Sequence, residues 1–167
     1  MVGDADALIK ENRLVQVEDT AFEIPTIAII GTTDECVNAI NDIVDVSMQI
    51  DLDDNSAGEM FSSFRLTSSG FLRKFNVIFI NNKFSKYKTQ DFKILKTLST
   101  LMHECIHVVI SNMHSVGVKT HIDDNDDDYG EIICNMSQTL FYRIASRMFP
   151  DLNKDGLEGF PIFNYKK

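Results

Sequence analysis

The sequence contains no tryptophan, three prolines, three cysteines and only four histidines among 167 residues. Basic residues are also short, with 16 Lys and Arg against 25 Asp and Glu, a formal net charge of −9. Counterion release therefore gives no general drive toward a phosphate backbone, and no basic cluster stands out, so nucleic acid is not an expected partner. Long apolar runs are missing too. The longest, as in PTIAIIG, are five or six residues, far short of a membrane span. The opening stretch MVGDADALIKENR is broken by charges and does not read as a signal-peptide core. Cys36, Cys105 and Cys134 are odd in number, widely spaced and without a CxxC pair, a poor disulfide framework. These absences point to reduced thiols in a soluble cytoplasmic protein.

What is present suits a globular chain: 44% hydrophobic and 25% charged residues. A chain of this length buries about two-thirds of its unfolded surface, so a single domain over 1–167 is expected. Residues 1–20 read as a short helix or a loose arm. Thr26–Ile30 is apolar and β-branched between Pro25 and Gly31, which predicts a buried strand. Thr32 and Glu35 fit a capping box, followed by a helical stripe of Cys36, Ala39, Ile40, Ile43, Val44 and Met48. After a polar loop at 51–58, Phe61–Thr67 and Phe75–Ile80 predict two strands around Ser68, Ser69 and Gly70. A helix is expected from about Thr89–Asp91 to Met113, with Gly117 as its stop. An acidic loop (121–130) then leads to a helix over about Glu131–Met148, with Asp126–Asp128 as N-cap candidates. Strands followed by two long helices give an α+β class.

Half of the scarce histidine sits in one five-residue word, HECIH, at 103–107. On a helix the i,i+4 spacing stacks His103 over His107 on one face, where two neutral imidazoles can ligate zinc. Glu104 is turned about 100° from them, close enough to exchange a proton with an activated water without binding the ion itself. Zinc acidifies water and polarises a carbonyl, and a carboxylate so placed serves as general base. The competing reading is a satisfied structural cluster. The apolar surroundings, LSTLM before and VVIS after, weigh against it, because burying three ionisable groups there is costly without a metal or partners.

A catalytic zinc needs a third protein ligand. The continuation HExxHxxGxxH fails, since Ile110 and Met113 stand at the required positions. His114 lies roughly 10 Å beyond His107 along an unbroken helix, too far to share the ion. Glu131 is the stronger candidate, because an antiparallel second helix would return it toward the motif and Gly130 would allow close approach. A first-turn glutamate complementing the helix dipole is the bland alternative. Runners-up are His121, Asp127 and Asp128. Tyr129, His114 and His121 are candidate donors to a developing oxyanion. Cys105 reads as core.

The strand FNVIFI, the helix LMHECIHVV and the helix opening YGEIICNM together resemble the minimal zincin metallopeptidase-like domains. More narrowly, they resemble the small HExxH proteins encoded by tailed bacteriophages. The resemblance covers about 75–148; residues 1–70 carry no signature of that group. It implies a small, mostly antiparallel sheet packed on the motif helix and a second ligand-bearing helix. It also implies zinc (Zn²⁺) on His103, His107 and a gluzincin-like Glu131, with Glu104 as the catalytic base, and an edge strand, Phe75–Ile80 or its neighbour, pairing with substrate. Nothing like NExxSD surrounds Glu131, which is followed by IICN.

Asp151, Asn153, Asp155 and Gly156 match the start of an EF-hand loop, but Ile162 replaces the glutamate at its twelfth position, so a polar turn is expected. The expected activity is zinc-dependent hydrolysis of a peptide or protein substrate. The alternative is a zinc-stabilised, non-catalytic interaction or regulatory protein, phage-encoded and binding a host partner.

Overall fold

In the computed structural model, residues 4–18, 21–44, 50–84, 90–118 and 127–151 are described. A helix α1 (Asp4–Lys10) leads into strand β1 (Leu14–Glu18), which turns back into β2 (Pro25–Gly31). Helix α2 (Thr33–Val44) is followed by the hairpin β3 (Gly58–Leu66) and β4 (Leu72–Asn81). A short 3₁₀ turn (Asn82–Phe84) precedes the long helices α3 (Gln90–Ser115) and α4 (Asp127–Met148).

The four strands form one sheet in the order β1-β2-β4-β3. β1 is antiparallel to β2 and β3 antiparallel to β4, while β2 and β4 run parallel, with Ile27 opposite Val77 and Ile29 opposite Phe79. The class is mixed α+β. β4 is an inner strand, so Phe75–Ile80 cannot be the substrate-pairing edge; among the described residues its neighbour β3 is one edge and β1 the other.

Alternation along the inner strands distributes apolar side chains to both faces. Ile27, Ile29, Phe75, Val77 and Phe79 pack with Ala5 and Leu8 of α1 and Cys36, Ala39 and Ile40 of α2. Val15, Val17, Ala28, Ile78 and Ile80 pack on the opposite face with Leu101, Cys105 and Val108 of α3 and Leu140, Ile144 and Met148 of α4. The helices thus cover both sides of the sheet. Among the described residues no helix is long and apolar enough to cross a membrane.

Local signals act where the sequence places them. The Thr32 N–H donates to Glu35 Oε2 at 2.8 Å and the Glu35 N–H to Thr32 Oγ1 at 3.2 Å, the reciprocal bonds of a capping box. Glu35 also accepts from Arg13 Nη2 at 2.6 Å, which ties α2 to the start of β1. At the end of α3, Gly117 takes φ 83°, and the N–H groups of Gly117 and Val118 donate to His114 O and Met113 O. This is a Schellman stop, and it needs a residue at ease with positive φ.

Two expectations change. The first 20 residues contain a strand as well as a helix. α4 begins at Asp127 and not near Glu131, so the aspartates 127 and 128 form its first turn instead of capping it, where the helix dipole favours acidic residues. His121, Asp126, Met48 and the EF-hand-like stretch beyond Asp151 lie outside the described residues.

Candidate functional site

The HECIH word lies in the middle of α3, and the helix presents its three ionisable residues unequally. His103 and His107 are exposed, Glu104 is buried, and Cys105 behind them is in the core. The imidazoles meet edge to face, with ring centroids 4.7 Å apart and planes at 78°. Their Nε2 atoms lie 3.0 Å apart and share a hydrogen bond, one ring donating to the other. Two nitrogens bound to one tetrahedral zinc stand about 3.3 Å apart, so the pair is close to the separation that a shared ion requires.

Glu104 turns toward the start of the edge strand β3. A Cβ placed on Gly58 would collide with the Thr100 methyl, lie 3.1 Å from Phe79 O and stand 3.4 Å from Glu104 Oε1. Only a residue without a side chain lets β3 approach α3 this closely. Burial raises the proton affinity of the Glu104 carboxyl above the ordinary range. The two imidazoles oppose that shift and the charge of Glu59 adds to it. A buried carboxyl whose proton affinity is raised is a recurrent feature of groups that exchange protons in catalysis.

Among the described residues no strand pairs with the outer side of β3, which runs beside this group. The Asn81 N–H donates to Ala57 O and the Thr67 N–H to Phe71 O, which places the odd-numbered residues of β3 in bonds with β4. The backbones of Gly58, Met60 and Ser62 therefore face away from the sheet. Gly58 O accepts from Ser56 Oγ at 2.6 Å.

The third ligand is not assembled. Among the described residues no three His, Cys, Asp or Glu side chains converge in a way that could hold a metal ion. Glu131 is exposed on α4. Helices α3 and α4 run antiparallel, as expected, but Ile133 packs with Val109 and Met113. Glu131, two residues nearer the helix start, thus stands level with the last turns of α3, beyond His107 along the axis. His114 is exposed at that end of α3. Of Asp127, Asp128 and Tyr129 only the helical backbone is described.

Nothing in the sequence alone distinguishes Gly58 or Thr100. Gly58 closes a polar stretch rich in turn residues, and only its position opposite α3 reveals its role. The buried Asn76–Asn112 bond, 3.0 Å from Nδ2 to Oδ1, ties β4 to the helix one turn beyond the motif. An asparagine inside FNVIFI was its only sequence signal.

No family model, no curated protein and no solved structure matches the chain.

Proposed function

We propose that the chain is a zinc-dependent peptidase in which His103 and His107 hold the ion and Glu104 is the general base. One observation carries this reading: an exposed imidazole pair with 3.0 Å between nitrogens, next to a buried carboxyl. The donor chemistry fits, since two neutral imidazoles at this separation suit zinc. When bound, zinc supplies Lewis acidity that polarises the peptide carbonyl and acidifies water. Glu104 accepts the proton of the attacking water at a carboxylate oxygen and returns it to the leaving amine. The outward backbone of Met60 and Ser62 on β3 supplies hydrogen bonds that align an extended substrate. The third ligand comes from the start of α4 or the segment before it, with Glu131 the first candidate and His121 the second. The zincin-like and phage-protein resemblance belongs to this same proposal.

Elemental analysis of the purified chain tests it: about one zinc per chain is expected, and a ratio near zero that added zinc does not restore overturns it. Zinc affinity in E131A and H121A assigns the third ligand, because only the true ligand's loss weakens binding. If zinc is present but no peptide library is cleaved, the non-catalytic interaction protein replaces the peptidase.

A further inference from the structure

The opposite edge of the sheet carries a second charged cluster that the peptidase reading does not use. Arg143 and Arg147 stand one turn apart on α4, where that helix runs along β1. Arg147 Nη1 donates to Gln16 O at 2.6 Å, and Arg143 Nη1 donates to Glu18 O at 2.9 Å. Gln16 and Glu18 are alternate residues of the edge strand. The bond from the Ile30 N–H to Arg13 O puts the odd-numbered residues of β1 in register with β2 and turns the even ones outward. Four residues of helix rise about 6 Å and two residues of strand about 6.8 Å, so the arginines reach successive outward carbonyls and are held side by side.

Each guanidinium uses one donor on a carbonyl and keeps several more. Neither forms an ion pair among the described residues; Glu18 is paired instead with Arg73 at 3.2 Å. Arg73 also donates to Glu23 O at 2.9 Å, and Glu23 is held at φ 53°, a left-handed conformation uncommon for glutamate. These groups line a cleft of about 900 Å³, within the size range of small-molecule sites. Three of the chain's five arginines line it with two glutamates, Glu18 and Glu23, a small local excess of positive charge in a chain of net charge −9. Like charges one turn apart repel, and an anion between them removes that cost. An oxyanion taking a charge-assisted bond of about 2.8 Å from each side spans at most about 8 Å between donors, so side chains held on carbonyls about 6.8 Å apart along the strand are within its reach.

We propose that this cleft binds a small ligand through an oxyanion, phosphate or carboxylate, clamped between Arg143 and Arg147. The inference does not rest on the peptidase reading. Calorimetric titration of the full chain, at fixed low ionic strength in a buffer free of other oxyanions, tests it with inorganic phosphate in one arm and succinate in the other. Saturable one-site binding of either anion is expected, and the arm that binds identifies the oxyanion. Affinity should fall at least about tenfold in R147Q, and in R147K, which keeps the charge but loses the planar fork. Thermal melts of both variants verify the fold, and R147K decides the matter if R147Q melts early. No binding in either arm overturns the proposal, as does binding that both variants retain undiminished.

Discussion

A glutamate next to a solvent-facing histidine would ordinarily be exposed as well, yet Glu104 is buried, because one step of helix rotates it under the strand held close by Gly58. It touches the core without belonging to it, so E104Q keeps its shape and loses only its titration. The expected outcome is unchanged zinc content and an intact melt, with turnover reduced about 10²–10⁴-fold. Equal loss of zinc in E104Q would instead make the residue a ligand. Glu35 offers a second residue-level test. Burial acts to raise its pKa, but the bonds from Arg13 and the Thr32 N–H outweigh it and hold the carboxyl below its ordinary 4.5. A depressed folded value means that the contribution is complete above about 4.5 and is lost as pH falls through the lower folded value. E35Q should therefore flatten the acid side of the stability profile and leave the neutral side nearly parallel to wild type, as measured by melts between pH 3 and 7 (roughly the window in which carboxylates titrate). The cysteines behave as their burial dictates: the Cys36 thiol is pushed up to about 12 and that of Cys105 is raised as well, so neither is a nucleophile in the native chain.

Among the elements, the contact between β3 and α3 is the most sensitive. G58A would drive a methyl into Thr100 and against Phe79 O, and a cost of about 1–3 kcal/mol is expected from this overpacking. Denaturant unfolding measures it, and a G58A chain as stable as wild type would show that β3 yields freely. The same contact illustrates what a sequence can and cannot reveal. Local signals locate β2, α2, the strands β3 and β4 and α3: α2 and α3 repeat apolar residues at helical spacing, while β2 and β4 are short apolar runs bounded by turn residues. Capping chemistry placed Thr32, Glu35 and Gly117 for the same local reason. β1 was missed because LVQVE is a five-residue alternation directly after charged residues, and its pairing with β2 is a nonlocal fact. The start of α4 was displaced because aspartates are weak helix formers in general but favourable in a first turn. The histidine pair was legible, since i,i+4 geometry is local. The third ligand was not, since its reach depends on how far α4 is offset along α3.

At the scale of the whole molecule, two apolar layers flank the sheet and neither contains His103 or His107. The fold should therefore stand without metal. A chelated sample is expected to keep its far-ultraviolet spectrum and a cooperative melt, losing only the increment that ligand binding adds by mass action. Collapse on chelation would favour the zinc-stabilised interaction protein over the peptidase. The two charged features also occupy different edges of one sheet. α3 brings the histidines to the β3 side and α4 brings the arginines to the β1 side, so R147Q and E104Q should act additively on stability.

The parallel seam between β2 and β4 has a consequence for how the chain is made. β2 is apolar on both faces, and the strand that completes it lies some fifty residues later, beyond α2 and the whole of β3. During synthesis at roughly 5–20 residues per second, TIAII waits several seconds with one edge unpaired. It is then a template for any neighbouring strand. β1 shields only one side of it. The ribosome-bound chain is therefore most exposed to aggregation between the emergence of β2 and that of β4, and chaperone binding should peak in that interval.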